Sequence, residues 1–202
     1  MRCWSIMALL ICASVASAGK YNPVLSPGDD APKWKQLVNV DGKQNSLADL
    51  KQPIVVVVFT CNSCPYSVDY EDRINQLVDE VDSKQVAVVA INVNKVPEDS
   101  PEEMQKRAKE KGFKFPYLYD PTQQIARDYG ATYTPEFFVL DQQRKIVYMG
   151  ALDDSTDASK VRQHHVLAAI QAIQSGQTPE LQETVAIGCR IRFERQRRTR
   201  RK

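Results

Sequence analysis

Two cysteines, Cys61 and Cys64, stand three positions apart where an apolar run ends and a polar segment beginning with Pro65 starts. Residues 55–59 are β-branched or aromatic and predict a buried strand. Pro65 is typical of the first turn of a helix, where the missing N–H would have had no partner. Unpaired N–H groups and the helix dipole stabilise negative charge at such a start. We therefore expect a thiolate nucleophile at Cys61, with a lowered pKa.

The C-x-x-C spacing also allows two other kinds of site. A structural disulfide is one, although so small a loop removes little entropy from the unfolded chain. A metal site is the other, because thiolates together with a histidine suit copper or zinc. The two histidines, His164 and His165, precede an apolar run in the last expected helix, where a surface or half-buried histidine is the ordinary explanation. The spacing favours a redox-active dithiol over both.

The first 18 residues have the composition of a signal peptide. Arg2 precedes an apolar stretch, and Ala16-Ser17-Ala18 forms a small-residue cleavage pattern before Gly19. The apolar stretch is short for a membrane span, and no later segment reaches the roughly 20 apolar residues that a membrane helix needs. We expect an exported protein in a periplasmic or other extracytoplasmic compartment. Stable membrane insertion is not expected after cleavage, although an uncleaved N-terminal anchor is the alternative.

Removal of the signal peptide would leave three of the five cysteines. Cys3 and Cys12 would be discarded, and Cys61, Cys64 and Cys189 would remain. Cys189 has two interpretations: it resolves a mixed disulfide, or it is a small buried hydrophobe, as most unpaired cysteines are.

The net charge of +2 is unevenly distributed along the 202 residues. Residues 190–202 carry eight basic residues and one acidic residue, which leaves the rest of the chain mildly acidic. Terminal charge blocks are usually solvated and disordered. We therefore expect one domain over residues 19–193 and a basic disordered tail over 194–202, with no nucleic-acid partner.

The elements that must position the cysteines alternate between strands and helices. The apolar periodicity and the Gly and Pro positions predict an irregular arm at 21–32 and a hairpin at 34–47 turning at Asp41-Gly42. Strands are expected at 54–60, 86–93, 115–119, 137–141 and 146–150, and helices at 65–81, from Ser100 to Gly112, at 121–129 and at 160–175. This order indicates an α/β sandwich with a central mixed sheet.

Thr134-Pro135 stands directly before one of these strands, and with the dithiol it resembles the thioredoxin superfamily. The chain is most similar to the redoxins, the alkyl hydroperoxide reductase and thiol-specific antioxidant relatives, over roughly residues 25–193. The motifs that carry this resemblance are Pro27-Gly28-Asp29-Asp30-Ala31-Pro32, Asp41-Gly42-Lys43, Phe59-Thr60-Cys61-Asn62-Ser63-Cys64-Pro65, Tyr70-Glu71-Asp72-Arg73, Tyr129-Gly130-Ala131, Thr134-Pro135-Glu136-Phe137-Phe138 and Gly188-Cys189.

The resemblance implies a fold and a function. The fold would be thioredoxin-like, with helices flanking a central mixed sheet, an N-terminal hairpin extension and an inserted helix-strand segment. The function would be thiol–disulfide oxidoreduction, in which Cys61 forms a mixed disulfide and Cys64 resolves it. Pro135 would be cis, and Thr134 would offer backbone groups to the substrate. No cofactor or bound metal is implied, and the partners would be a protein thiol or disulfide substrate and a redox partner that resets the dithiol; reductase and oxidase directions both stay open.

The sequence departs from thioredoxin at two supporting positions. Thr60 stands where thioredoxins have Trp, and Val55 stands where they have a buried carboxylate that assists proton transfer. The proton acceptor for Cys64 is therefore unassigned. Glu136, beside the expected cis-proline, is one candidate, and an exposed strand residue is the equally good alternative.

A thiol peroxidase is the main alternative function. Peroxiredoxins use the pattern P-x-x-x-T-x-x-C and a distant arginine to polarise the peroxide. Here Thr60 directly precedes Cys61, and Thr134-Pro135 stands where the arginine is expected, so the disulfide chemistry is preferred. Copper-delivery relatives use C-x-x-x-C-P with a separate histidine, a spacing one residue longer than in this chain.

Overall fold

The computed structural model describes residues 19–195. The expected signal peptide, with Cys3 and Cys12, and residues 196–202 of the expected tail lie outside the described residues. Within them the chain forms nine strands and four helices. The strands are β1 (Leu37–Asn39), β2 (Gln44–Asn45), β3 (Ile54–Phe59), β4 (Val86–Asn92), β5 (Tyr117–Tyr119), β6 (Tyr133–Thr134), β7 (Glu136–Leu140), β8 (Ile146–Gly150) and β9 (Cys189–Arg190), and the helices are α1 (Pro65–Glu80), α2 (Pro101–Lys111), α3 (Gln124–Asp128) and α4 (His165–Gln174).

Seven strands form one mixed sheet in the order β2-β1-β5-β4-β3-β7-β8. Strands β3, β4 and β5 run parallel, whereas β7 is antiparallel to β3 and β8 is antiparallel to β7. The predicted thioredoxin-like fold is confirmed: β1 and β2 form the N-terminal hairpin extension, and α2 with β5 forms the inserted helix-strand segment.

The apolar run of β3 lies at the centre of the sheet and is buried on both faces. Val55, Val57 and Phe59 pack into one core cluster, and Val56 and Val58 pack into another on the opposite face. The alternation follows from the two-residue period of a strand. This double burial explains why the strand reads as a continuous β-branched run, and it fixes the end from which the C-x-x-C loop departs.

Helix α1 begins immediately after the second cysteine. Cys64 is its N-cap residue and Pro65 occupies the first helical position, as the sequence predicts. The helix is held on its outer side by a paired contact in which the Arg107 guanidinium donates to the buried Glu71 carboxylate at 2.7 and 2.8 Å. Such two-point bonds restrict the helix more strongly than a single exposed ion pair.

Two elements near the site differ from the expectation. Strands β6 and β9, which pair with each other in a small separate sheet, were not predicted because two residues are too few to show a strand period. The helix expected over 160–175 begins only at His165. Among residues 19–195, none of the helices is both long and apolar enough to cross a bilayer.

Candidate active site

Strand pairing brings the C-x-x-C loop and the Thr134-Pro135 segment together. In the β3–β7 register Phe59 lies opposite Glu136, so the residues after Phe59 and those before Glu136 meet at the same end of the sheet. The Thr134-Pro135 peptide bond is cis, as expected. The Thr134 hydroxyl lies 3.3 Å from the Cys61 sulfur, and the Thr134 carbonyl oxygen lies 3.1 Å from the Cys64 sulfur. Thr134 therefore touches both thiols.

The thiols of Cys61 and Cys64 are free and buried, and both contact Thr134. Two thiols that interact this strongly ionise as a pair. Their interaction lowers the pKa for the first proton that the pair loses and raises the pKa for the second, and burial raises the second further.

The expectation of a lowered pKa at Cys61 alone is wrong. The helix begins at Pro65, so its first amides lie nearer Cys64, and the Ser67 N–H donates to the Cys64 sulfur. The Cys61 sulfur lies 3.8 Å from the Ser63 hydroxyl oxygen, whose proton is donated to Asp99 at 2.6 Å, and the charge of Asp99 raises the pKa of Cys61. Charge on the pair is thus stabilised mainly from the Cys64 side.

Asp99 holds the backbone between the two cysteines, and sequence reasoning missed it. Its fully buried carboxylate accepts the N–H groups of Asn62 and Ser63 at 2.6 and 3.2 Å and the Ser63 hydroxyl at 2.6 Å. The Asn92 side-chain amide donates to it at 3.1 Å. One signal could have found it: Asp99 follows β4, which runs parallel to β3, and the carboxyl ends of parallel strands meet at one edge of a sheet.

Glu136 directly follows the cis-proline and is buried, which excludes the exposed-residue interpretation. Its carboxylate accepts the N–H groups of Thr132 and Tyr133 at 2.8 and 3.0 Å. Burial raises its pKa to about 7, although these two bonds oppose the shift. It therefore supports the segment before Pro135 and exchanges a proton near neutral pH. Its role as proton acceptor for Cys64 stays a prediction.

The two positions that depart from thioredoxin are both buried. Val55 is the second residue of β3 and has no exposed surface, so an apolar contact replaces the carboxylate that the resemblance would place there. Thr60 immediately precedes Cys61, and its N–H donates to the Ile91 carbonyl at 3.1 Å, which continues the β3–β4 pairing. Thr60 thus fixes where the strand ends and the loop begins.

Cys189 is brought to the dithiol by β9. It lies opposite Thr134 in the β6–β9 register, and its thiol and that of Cys64 shift each other's pKa. It is half-buried, and burial followed by the interaction with Cys64 raises its pKa to about 11. The Tyr66 N–H, in the first turn of α1, donates to its sulfur.

The two histidines belong to a different region. His164 Nδ1 lies 2.8 Å from Oδ1 of Asp153. The other carboxylate oxygen of Asp153, Oδ2, accepts a hydrogen bond of 2.9 Å from Arg73. His164 and His165 line a cavity between α4 and residues 177–181 that contains no cysteine. Within residues 19–195 no group of three or more His, Cys, Asp or Glu side chains is arranged to hold a metal ion.

Comparison with known proteins gives a consistent relationship. The AhpC/TSA family model matches residues 27–149. A Mycobacterium tuberculosis protein whose name places it among the peroxiredoxins is 27% identical over an alignment of 140 residues. The alignment covers 61% of this chain and 83% of that protein.

Two solved structures extend the comparison. An uncharacterized conserved protein from Geobacillus kaustophilus is 37% identical with a TM-score of 0.81, covering 87% of this chain and 96% of that one. A Chlorobium tepidum structure described as a thiol:disulfide interchange protein, DsbE, is 25% identical with a TM-score of 0.55, covering 62% of this chain and 84% of its own.

Proposed function

Since the chain belongs to the AhpC/TSA family, we propose that it is a thiol–disulfide oxidoreductase whose redox centre is the Cys61–Cys64 dithiol. The observation that carries this proposal is the contact of both thiols with Thr134. Two sulfurs that ionise as a pair and lie against one residue beside a cis-proline are arranged to exchange disulfides rather than to staple distant parts of the chain.

The proposed cycle starts from the pair after it has lost one proton. The remaining proton passes from Cys61 to Cys64, whose S–H then donates to the Thr134 carbonyl oxygen at 3.1 Å. The Cys61 thiolate attacks one sulfur of a substrate disulfide and releases the other as a thiolate, which takes up a proton from water. Cys64 then loses its proton and attacks the Cys61 sulfur. The second substrate thiol leaves reduced, and the protein is left with a Cys61–Cys64 disulfide.

The partners follow from this cycle. A protein disulfide, or a dithiol in the reverse direction, is the substrate, and a separate redox protein resets the dithiol. Electrons and protons pass only between sulfur atoms, so the cycle needs no organic cofactor. Thr134 and Pro135 would contact the substrate, although the backbone at Thr134 already pairs with the chain's own β9.

The proposed compartment is extracytoplasmic. The support is the N-terminal composition, with its cleavage pattern at Ala16-Ser17-Ala18. Cleavage there would leave residues 19–193 as the redoxin domain, followed by the basic tail. The Glu194 N–H donates to the Gln123 side chain at 2.8 Å, so residue 194 is held on the domain.

The proposal is tested by reduction of insulin disulfides with the full chain and two matched variants. We expect the wild type to be active, Cys61→Ser to lose all turnover, and Cys64→Ser to accumulate a mixed disulfide with a cysteine-containing substrate. A folded Cys61→Ser protein with wild-type turnover would overturn the proposal.

Thiol peroxidase activity is the second candidate, favoured by the name of the Mycobacterium tuberculosis relative. The hydroxyl near the Cys61 sulfur that could donate to a peroxide is that of Thr134, because Asp99 accepts the Ser63 proton. Stopped-flow mixing of reduced protein with hydrogen peroxide separates the two functions. Oxidation no faster than that of a free thiol excludes the peroxidase, and rapid oxidation at Cys61 with slow disulfide exchange would replace the proposed function.

A further inference from the structure

A third thiol lies beside the dithiol. Cys189 is paired with Thr134, and the Cys64 and Cys189 thiols shift each other's pKa, as the Cys61 and Cys64 thiols do. Strand pairing provides this arrangement, because Cys189 lies opposite Thr134, whose carbonyl oxygen is 3.1 Å from the Cys64 sulfur. The order of the three sulfurs in space is therefore Cys61, Cys64, Cys189.

The position of Cys189 is built into the backbone. A Cβ atom on Gly188 would lie 2.1 Å from the Thr134 carbonyl oxygen, so only glycine permits this close approach. On the other side of Cys189, the Ile191 N–H donates to the Thr132 carbonyl at 2.9 Å and the Arg192 N–H to the Asn94 side chain at 3.2 Å. The thiol is therefore held against the site from both sides.

Access from solvent differs among the three thiols. Cys61 and Cys64 are only 3% and 1% exposed, whereas Cys189 is intermediate in exposure. A partner protein therefore reaches a sulfur at Cys189 more easily than at Cys64. A thiol that contacts the buried pair and is also open to solvent suits transfer of oxidising equivalents between them.

We propose that Cys189 is a third redox thiol that accepts the disulfide from Cys61, a step that rests on the proposed dithiol function. The Cys189 thiolate attacks the Cys64 sulfur of the Cys61–Cys64 disulfide. The Cys64–Cys189 bond forms, the Cys61–Cys64 bond breaks, and Cys61 leaves as a thiolate that takes up the proton lost by Cys189. No external oxidant is consumed, and Cys61 is free to meet a second substrate.

The surroundings of Cys189 change in favour of this step once the dithiol is oxidised. Part of the rise in its pKa comes from its interaction with the Cys64 thiol, and a disulfide removes this interaction. The Tyr66 N–H and the Arg192 charge, which lower the pKa, are retained. Attack along this line requires the Cys64 and Cys189 sulfurs to close from contact to a bond of about 2.05 Å.

Disulfide mapping of the full chain tests the proposal. Reduced protein is equilibrated with mixtures of reduced and oxidised glutathione, quenched with N-ethylmaleimide and digested with trypsin without reduction. Cys61 and Cys64 fall in the peptide 52–73, Cys189 falls in 163–190, and Cys3 and Cys12 fall in 3–20, so mass spectrometry identifies each linkage.

In the wild type we expect two oxidised species. One carries a disulfide within 52–73, and the other links 52–73 to 163–190 with the maleimide on Cys61. Cys61→Ser should give the linked species as its main intramolecular product, whereas Cys64→Ser and Cys189→Ser should both lose it. The wild-type measurement needs no variant, so it holds even where a substitution impairs folding.

Failure of the relay and failure of the dithiol function give different results. If 52–73 forms its internal disulfide but is never linked to 163–190, including in Cys61→Ser, the relay is wrong and the dithiol function stands. If neither species forms and insulin is not reduced, the dithiol function itself is wrong. A link that persists in Cys64→Ser would mean that Cys189 pairs with Cys61, which would overturn the proposed order of exchange.

Discussion

Two buried carboxylates support the two segments that meet at the dithiol, and each accepts two consecutive backbone N–H groups. Asp99 binds those of Asn62 and Ser63 in the C-x-x-C loop, and Glu136 binds those of Thr132 and Tyr133 before the cis-proline. Asp99 has two more donors, the Ser63 hydroxyl and the Asn92 amide. Glu136 has a pKa raised to about 7.

The difference shows how similar contacts serve different ends. A carboxylate with four donors holds the loop in one arrangement, because bonds to a charged acceptor are stronger than bonds between neutral groups. A carboxylate with two donors is held less well as an anion. We therefore expect the Asp99 side of the site to be rigid and the Glu136 side to respond to pH.

The largest expected effect comes from removing Asp99. Asp99→Ala leaves the N–H groups of Asn62 and Ser63, the Ser63 hydroxyl and the Asn92 amide without their acceptor. We expect a loss of about 4 kcal/mol in the free energy of unfolding, since each orphaned buried donor costs 1–3 kcal/mol and water recovers part of the loss. Urea unfolding measures it. Asp99→Asn, which keeps an acceptor oxygen, is the control and should lose much less; equal losses would contradict this role.

The next effect is the pH dependence that Glu136 gives to stability. Its pKa rises from 4.5 when unfolded to about 7 when folded, so the folded protein binds the extra proton between these values. Stability should therefore fall as pH rises from about 4.5 to 7 and change little with this group above that, by about 3 kcal/mol in all. Glu136→Gln should remove this slope in urea unfolding at several pH values. An unchanged slope would show that Glu136 ionises normally in the folded protein.

A smaller effect is expected from Gly188, which lets β9 approach the Glu136 side. Gly188→Ala places a methyl group against the Thr134 carbonyl oxygen. Overpacking of this kind typically costs 1–3 kcal/mol, and we expect about 2 kcal/mol from thermal unfolding. Gly188 is not among the glycines with a positive φ, so the loss measures crowding rather than backbone strain. Unchanged thermal stability would mean that β9 shifts away without cost.

The smallest effect concerns thiol ionisation on the Asp99 side. The Asp99 charge raises the pKa of Cys61, so its neutralisation in Asp99→Asn should make the dithiol ionise at lower pH. We expect a shift of about one pKa unit, the usual scale for a nearby charge partly screened by protein. The rate of reaction with iodoacetamide as a function of pH measures it. An unchanged pH dependence would show that Asp99 acts only on the loop backbone, and a shift to higher pH would contradict the expected effect of its charge.

The sequence predicts the centre of the site because local signals coincide there. The β-branched run of β3, the spacing of Cys61 and Cys64, and Pro65 in the first turn of α1 each depend only on neighbouring residues. The strand after Pro135 is read in the same way, and its pairing with β3 follows from the family's fold. The dithiol and the segment that opposes it are therefore both predicted from the sequence.

The surroundings of the dithiol could not be predicted in the same way. Asp99 reads as an ordinary surface acid between two prolines, and its role depends on residues more than 30 positions away. Cys189 lies in a strand of two residues, too short for any periodicity, and reaches Cys64 only through pairing with β6. Such long-range contacts set the ionisation of the pair. Local sequence signals alone therefore do not predict that the lowered pKa belongs to the pair and not to Cys61 alone.

The reduction potential of the Cys61–Cys64 couple tests the central claim most directly. It is measured by equilibrating the protein in redox buffers and mapping the disulfide within the peptide 52–73. A redox-active dithiol should give a two-electron transition within the range of known oxidoreductases, about −270 to −120 mV. A midpoint below about −300 mV, typical of structural disulfides, would contradict the account.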